Sequence, residues 1–342
     1  MDQPRIDRFG RFHLTWVWRY NGDSPAGESG YQTNHDYNYV YSDDFGVTWH
    51  RYDGSPITLP IVEKGEDQAA SSQWSDVVYP IPEGSSLMNQ AGLCVDSQGT
   101  PYIANWWAPG AHSTPPNHIR QYLVLFPSTN GWVSRQISHR VLDDPNYKRP
   151  EGTLRDMRRP VIVCDPQDRL IVLYRDAEGN RGIRAVYTPP KTADPLRLNW
   201  TEVDLTTENL GVTDPMIDED LWEKAHILHI FHQVTESLPA DFNVPLPPNT
   251  ASPVAVLEWD TIAYFAHRPA LRVAASYPNT TLSWRSQLGW SYRLLTTTNL
   301  SNSSLVTMLP GNGDSLSFVH TNSLIGSQRF WQLELKQGGF SP

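Results

Sequence analysis

Cysteine is nearly absent from this chain of 342 residues, which carries only Cys94 and Cys164. Two thiols build neither a disulfide framework nor a cysteine zinc site, so they read as small buried hydrophobes. No apolar run approaches the roughly 18 residues that a membrane-spanning helix needs, so a membrane partner is not expected. Positive charge is also in short supply. A formal net charge of −10 argues against nucleic acid as a partner. It argues against a polyanionic substrate as well, unless arginines are concentrated locally. The opening residues, MDQPRIDRFGRF, have neither a basic n-region nor an apolar h-region, so no signal peptide is present as written. Helical periodicity is scarce throughout.

Turn formers and aromatics fill the space that these absences leave. The 22 glycines and 28 prolines break the chain into short apolar or alternating runs, the pattern of an all-β fold. One unit recurs, an Asp-led turn followed by a strand. It appears at Asp7-Arg-Phe-Gly-Arg-Phe-His, at Asp96-Ser-Gln-Gly-Thr-Pro-Tyr and at Asp165-Pro-Gln-Asp-Arg-Leu-Ile. Looser copies begin at Ile217-Asp-Glu-Asp and Asn312-Gly-Asp-Ser. After each of the first three comes a further strand pair ending near a tryptophan: Trp49, Trp132 and Trp200. Repeated four-stranded sheets of this kind read as a β-propeller, in which stacked blades bury faces that none could bury alone. About five blades are legible, and a single domain across residues 1–342 is expected. Stretches 20–33, 109–117 and 238–253 read as loops.

The chemistry-bearing candidates gather first in Gly10–Trp49. His13 lies mid-strand, and strict alternation puts it on one face with Thr15 and Val17. His35 sits in Asn34-His35-Asp36. Imidazoles titrate near neutrality, so the two histidines form an acid/base candidate set. Ser42-Asp-Asp-Phe-Gly-Val-Thr-Trp49 is an Asp-box and reads as scaffold. Asn89, Gln90 and Trp106 flank the second unit. Trp106 and Trp107 must point to opposite faces, so only one can line a shared pocket. Arg120, Arg155, Arg158, Arg159 and Arg175 form a local arginine set whose planar forks suit carboxylates. His226, His229 and His232 sit in a strand-like run, where alternation splits them between faces and breaks a three-histidine metal set. Sequons at Asn279, Asn299 and Asn302 support a secreted protein.

These motifs together, GRFHLTWVWR, NHDYNYVYSDDFGVTW and MNQAGLCVDSQGTPYI, resemble the BNR-repeat β-propeller polysaccharide lyases. That group includes ulvan lyases, rhamnose–glucuronate lyases and an α-L-rhamnosidase branch. The resemblance is strongest over residues 1–135. It implies a seven-bladed propeller, with blades expected to be missing before residue 1. It also implies an extracellular enzyme, a monomer, acting on an acidic polysaccharide or oligosaccharide that joins rhamnose to glucuronate. The implied reaction is β-elimination, with a α-L-rhamnosidase-type hydrolase or a non-catalytic glycan-binding propeller as alternatives. His13 and His35 carry over as the base and acid candidates, in either order, and Arg120 as the best match for the carboxylate-binding arginine. Arg19, Asn34, Asn89, Gln90, Trp106, Arg159 and Arg175 are the substrate-binding candidates. The family's proton-transfer tyrosine has no assigned match in the corresponding region, Tyr102-Ile-Ala-Asn-Trp-Trp. No cofactor is required, and the resemblance suggests a structural Ca²⁺ as in some members.

Overall fold

In the computed structural model the described residues are 4–22, 27, 30–66, 68–110, 119–141, 157–175, 182–191, 199–206, 208–210, 213–234, 254–266, 269, 271–276, 278–287, 289–297, 303–321 and 330–337. Arg155, the sequons at Asn299 and Asn302, residues 111–117 and the whole loop expected at 238–253 lie outside them. The chain is all-β, built of several antiparallel sheets. It divides into two compact units: Met1–Trp200, Thr207–Ile217 and Ile230–Val256 in the first, and Thr201–Thr206, Asp218–His229 and Leu257–Pro342 in the second.

Three sheets organise the first unit. The first sheet holds β1 (Arg5–Ile6), β2 (Phe12–Arg19), β3 (Asn34–Ser42), β4 (Trp49–His50) and β5 (Pro56–Ile57) in that order, with β6 (Val77–Tyr79) also pairing β3. The second holds β7 (Gly92–Val95), β8 (Pro101–Trp107), β9 (Gln121–Ser128) and β10 (Gly131–Gln136), again in sequence order. The third is formed by β11 (Val161–Cys164), β12 (Leu170–Arg175) and β13 (Ile183–Tyr187). Then come β14 (Thr201–Asp204), β15 (Met216–Ile217), α1 (Glu219–Ala225), β16 (Ile227–Gln233), β17 (Val254–Asp260) and α2 (Thr261–Phe265).

The Asp-led turns build this unit. Each joins the first two strands of a sheet, and each aspartate accepts from the backbone N–H groups two and four residues on. The distances are 2.8 and 2.9 Å at Asp7, 2.9 and 2.9 Å at Asp96, and 2.8 and 2.9 Å at Asp165. The fourth residue of each turn is left-handed: Gly10, Gly99 and Asp168, with φ of 87°, 83° and 56°. Asp168 reaches the preceding turn, accepting from the Ser97 N–H at 2.8 Å and the Ser97 hydroxyl at 2.7 Å. Arg5 Nε donates to the Leu93 carbonyl at 2.8 Å, so β1 adjoins β7. A Cβ on Gly92 would meet Pro160 O and Ile162 N at 3.0 Å, so β7 also lies against β11. The three first strands therefore run side by side, with their Asp turns at one end and the starts of β3, β9 and β13 at the other.

The second sheet is sandwiched, which is why β8 and β9 are buried along nearly their whole length. On one face Leu93, Ile103, Trp107, Leu123 and Leu125 pack with Tyr37, Ile81 and Leu87 of the first sheet and its following loop. On the other, Ala104, Trp106, Tyr122, Val124 and Phe126 pack with Ile162, Val172, Tyr174 and Val186. Burying each such side chain is worth about 2 kcal/mol, the main term holding these sheets together. The Ser42–Trp49 turn is scaffold, as expected. Asp44 accepts from Ser42 Oγ, Thr48 N and Thr48 Oγ1 at 2.8, 2.8 and 2.6 Å, and Trp49 Nε1 donates to the Gly46 carbonyl at 3.1 Å.

Two of the looser copies depart from the pattern. At Ile217-Asp-Glu-Asp the aspartate caps a helix instead of tying a hairpin turn. Asp218 accepts from Leu221 N at 3.0 Å, Glu219 and Asp220 fill the first turn of α1, and Lys224 stands in the last turn beside Asp220 at 2.8 Å. That charge order complements the helix dipole. The helix ends on His226, left-handed at φ 55°, so His226 is a cap and not the strand residue expected. His229 contacts Glu258 at 2.9 Å and His232 lies 3.8 Å from Glu208, and no metal-binding group of three or more histidines, cysteines and acids occurs among the described residues. The second departure is Asn312-Gly-Asp, which links strands of different sheets. In the second unit β18 (Arg272–Ser276), β19 (Asn279–Arg285) and β22 (Ser315–Thr321) form one sheet. The other contains β21 (Ser304–Pro310), β20 (Trp290–Thr297) and β23 (Phe330–Gln337). Both cysteines are free thiols, and no described helix is long and apolar enough to cross a membrane.

Asp96 has no solvent-exposed side-chain surface and also accepts from Tyr102 Oη at 3.2 Å and from Lys191 Nζ. Replacing Asp96 by Ala should lower stability by about 2–4 kcal/mol in urea unfolding, since it strands two turn N–H groups and a half-covered lysine. A loss below about 1 kcal/mol would show that the turn is held by something else. Burial pushes the Asp96 carboxyl up, but Lys191 and the turn N–H groups pull it net below the ordinary value. Its contribution is therefore present above the usual carboxylate range and fades as acid protonates the folded state.

Candidate active site

The two histidines expected to work together stand at opposite ends of one hairpin. Each is the second residue of its strand, and in an antiparallel pair equivalent positions are far apart. His13 pairs with Tyr41, while His35 pairs with Trp18. Five residues of β2 separate these positions, about 16 Å along the sheet. No single sugar ring spans that, so His13 and His35 do not form an acid/base pair.

His13 is instead a strut of the Asp turn. It has no exposed surface. Its Nε2 lies 3.3 Å from Asp7 Oδ2 and its Nδ1 2.7 Å from the Tyr39 hydroxyl. Tyr102 stands in the same place in the second sheet, six residues after Asp96, with its hydroxyl 3.2 Å from that aspartate. A histidine and a tyrosine thus serve one structural purpose in two copies of the repeat. Burial pushes the His13 imidazole below its ordinary value, against the pull of Asp7.

At the other end the first sheet assembles a polar cluster. Trp18 pairs with His35 and Val17 with Tyr37, so Asp36 is an extra bulge residue, left-handed at φ 53°. The bulge re-aims the start of β3, a common device beside functional sites. Tyr20, the first residue after β2, stacks on His35 with ring centroids 5.2 Å apart and planes at 20°. Its carbonyl accepts from Thr33 Oγ1 at 3.2 Å, which pins the ends of the loop. Its hydroxyl donates to Glu63 Oε1 at 3.4 Å. His35 faces two carboxylates, Asp36 Oδ2 from Nδ1 and Glu63 Oε1 from Nε2, each at 3.5 Å. Glu63 is held in turn by its neighbour Val62, whose N–H and carbonyl bond Gln73 and Ser75 at 3.0 and 2.8 Å. Burial pulls the His35 imidazole down, but Asp36, Glu63 and Glu83 outweigh it and hold it above the ordinary value. Burial, then Glu63 and Glu83, raise the Tyr20 phenol.

The remaining candidates also collect at this end. Arg19 is the exposed last residue of β2 and pairs with Asn34. Asn34 is buried and donates through Nδ2 to the Leu87 carbonyl at 2.7 Å. The next residue, Met88, donates its N–H to the Trp106 carbonyl at 3.2 Å, so the short Leu87–Met88 segment bridges the first two sheets. Asn89 is half-buried and Gln90 exposed just beyond it. Trp106 is not a sugar platform: it is 8% exposed in the core between the second and third sheets. The guanidinium of the buried Arg120 lies 5.3 Å above its ring. Arg159 pairs with Asp214 at 3.0 Å. Arg175 ends β12 with no exposed surface, and it and Arg140 both favour ionisation of the Tyr122 phenol, which burial pushes up to about 12. Sequence reasoning missed Tyr20, Glu63 and Glu83. Tyr20 looked like the first residue of a loop, and the two glutamates sit in segments with no repeat signature. The sole available signal was the aromatic directly after a strand end.

Residues 1–140 match a family model described as a BNR repeat-containing family member. No curated protein matches the chain. Among solved structures, it is similar to an ulvan lyase, a polysaccharide lyase bound to -[GlcA(1-4)Rha3S]-, at 13% identity and a TM-score of 0.32 over 91% of this chain and 51% of that one. A further structure of a polysaccharide lyase described as an ulvan lyase gives 13% and 0.33 over the same shares. A glycoside hydrolase family 32 protein from Bifidobacterium adolescentis gives 11% and 0.26 over 97% of this chain and 69% of that one. The chain spans about half the length of the ulvan lyase structures it matches.

The opposite shifts of the two imidazoles are measurable by NMR titration. His35 should titrate above the ordinary histidine value and His13 below it. Glu63→Gln removes one of the fields on His35 and should lower its titration point while leaving His13 unchanged. Equal values for the two histidines would contradict this geometry. Because its folded value is raised, His35 adds stability below about pH 6.5, and loses it as pH climbs through the folded value.

Proposed function

We propose that the chain is a carbohydrate-active enzyme, a polysaccharide lyase that cleaves a rhamnose–glucuronate link by β-elimination. The observation that carries this reading is the Tyr20–His35 stack with Glu63 at the edge of both rings. The match of residues 1–140 to the BNR repeat-containing family supports it, as does the repeated Asp-turn sheet, which fits β-propeller blades in the first unit.

In this mechanism Arg120 neutralises the uronate carboxylate and so acidifies the C5 proton, with Arg159 as the second choice; Arg175, with no exposed surface, does not reach the substrate. Neutral His35 removes that proton. The C4–O4 bond breaks as the C4–C5 double bond forms, and the Tyr20 hydroxyl protonates O4. His35 returns its proton to the phenolate through Glu63 or solvent. Tyr20 titrates well above His35, so rate should rise with pH through the His35 titration, hold over the interval between the two, and fall once the phenol loses its proton. The proton transfers use side chains alone, so no cofactor is proposed. The setting proposed is extracellular.

A hydrolytic reading has its own support. Glu63 accepts the Tyr20 hydroxyl hydrogen at 3.4 Å, and such a pair can deliver a phenolate oxygen to an anomeric carbon. Ultraviolet absorbance separates the two. On ulvan, or on a gum with rhamnosyl-glucuronate ends, β-elimination produces an unsaturated uronate and a rising signal. Free reducing sugar with no absorbance rise would replace the lyase by a rhamnosidase-type hydrolase. Tyr20→Phe and His35→Ala should each cut the rate by about 10²–10⁴-fold with little change in fold. His13→Gln should lower thermal stability while leaving kcat of the folded enzyme within a few-fold. Retained glycan binding with no turnover of either kind would make the chain a binding module.

A further inference from the structure

The chain's two thiols face each other between the second and third sheets. β7 and β11 are the first strands of these sheets, and they lie side by side with close contacts before and after the cysteines. On one side the Gly92 backbone is so near β11 that a Cβ there would meet Ile162 N and Pro160 O at 3.0 Å. On the other, Asp168 accepts from Ser97 N and Ser97 Oγ at 2.8 and 2.7 Å. Cys94 stands two residues beyond Gly92, and Cys164 two beyond Ile162. Strand alternation gives each cysteine the same face as the residue two before it. Leu93 agrees with this direction, since it packs on the opposite face of the second sheet. Cys94, Ile162 and Cys164 meet in the core between the two sheets. There the Cys164 thiol hydrogen-bonds the Cys94 thiol, and both are free.

One pair of cysteines makes no framework, but it can make one crosslink. A disulfide needs side chains that point toward each other from backbones roughly 4.4–6.8 Å apart at Cα. Backbones held together on both sides of the pair, with the thiols already in contact, bring these cysteines within reach of that geometry. We propose that Cys94 and Cys164 close into a disulfide that staples the second sheet to the third as the chain folds in an oxidising compartment. The oxidant is a small-molecule disulfide such as oxidised glutathione. The thiolate of one cysteine attacks it, forming a mixed disulfide and releasing one small thiol. The thiolate of the other then attacks the protein's sulfur in that mixed disulfide. The Cys94–Cys164 bond forms, the mixed bond breaks and the second small thiol leaves. The protein gives up two protons and two electrons, and the oxidant takes them as two thiols. Timing follows from the surroundings. In the folded chain the Cys94 thiol, burial, and Asp96 and Asp168 hold the Cys164 thiol well above its ordinary value. A thiol that keeps its proton is a poor nucleophile, so the bond forms during folding and resists exchange afterwards. An exported chain meets such an oxidant on its way. The crosslink depends on the fold alone and holds whatever the substrate is.

Refolding the full chain in reduced and oxidised glutathione, and in parallel in dithiothreitol, is the test. The glutathione sample should be a monomer with no free thiol when denatured and an intact mass lower by two hydrogens. With two cysteines in the chain, that loss identifies the bond. Its melting temperature should lie about 5–10 °C above that of the dithiothreitol sample, because the crosslink closes a long stretch of chain. In Cys164→Ala the difference between the two buffers should vanish, with one free thiol left. Oxidised glutathione added to the folded, reduced chain should leave both thiols unreacted over the time in which refolding oxidises them fully. Two free thiols after glutathione refolding overturn the proposal, whether or not Cys164→Ala folds. So does a disulfide that joins two chains, or an oxidised form that melts below the reduced one. Rapid oxidation of the folded chain overturns closure during folding.

Discussion

The carboxylate that opens each turn is the constraint on which the first unit depends. Asp7, Asp96 and Asp165 each close a tight reversal between the first two strands of a sheet by accepting two backbone N–H groups. The turns would be easy to form and easy to lose if they stood alone. They do not, because each carboxylate's second oxygen is taken up by a different side chain: His13, Tyr102 with Lys191, and Arg169. Three unlike partners satisfy one geometric need. That freedom is what hides the repeat from simple sequence comparison and lets its strands drift in composition while the turn stays fixed.

Fixing the turns at one end releases the other. With the first strands side by side and the second and third Asp turns bonded to each other through Ser97 and Asp168, the far ends of β2, β8 and β12 can carry loops without loosening the sheets. Polar groups that would be costly in a core are tolerated there. Arg175 is buried at the end of a strand that is otherwise Leu170-Ile-Val-Leu-Tyr174, and His35 sits among three acids. Ionisable groups gathered at the loop end of these sheets make it the candidate site, whereas His13, matched to Asp7 and Tyr39, belongs to the turn.

The sequence carried the scaffold well and the site only partly. Asp followed by Gly or Asp three residues later announced the three turns because backbone chemistry dictates those residues. The apolar runs at Tyr102–Trp107 and Leu170–Tyr174 announced strands buried on both faces. Ile217-Asp-Glu-Asp was misleading, since an aspartate before Glu-Asp-Leu-Trp is as good a helix cap as a turn former, and the acidic first turn decided for the helix. The histidines were misleading for another reason. Two imidazoles on neighbouring strands suggested partnership, but each is the second residue of its strand and antiparallel pairing puts those positions at opposite ends. Glu63 and Glu83 were invisible because their positions are set by backbone bonds that their neighbours make, Val62 to Gln73 and Ser75 and Gly84 to Gln32, and no local pattern encodes such a contact.

One imidazole pushed down and another held up, on the same hairpin, show how environment and not residue type assigns roles. His13 has one carboxylate within reach and deep burial, so the neutral ring wins. His35 is nearly as buried but faces Asp36 and Glu63 at equal distance, and with Glu83 they hold its imidazole above the ordinary value. Burial, with the same acids, raises the Tyr20 phenol. Across the interval between the two titration points the imidazole is the base and the phenol the acid, and that interval is wide because a phenol ordinarily titrates about 3.5 pH units above an imidazole. The carboxylates therefore matter to the chemistry without touching the reacting atoms. They set the pH range over which Tyr20 and His35 hold opposite roles, and they leave the handling of any substrate charge to the arginines on the neighbouring sheets.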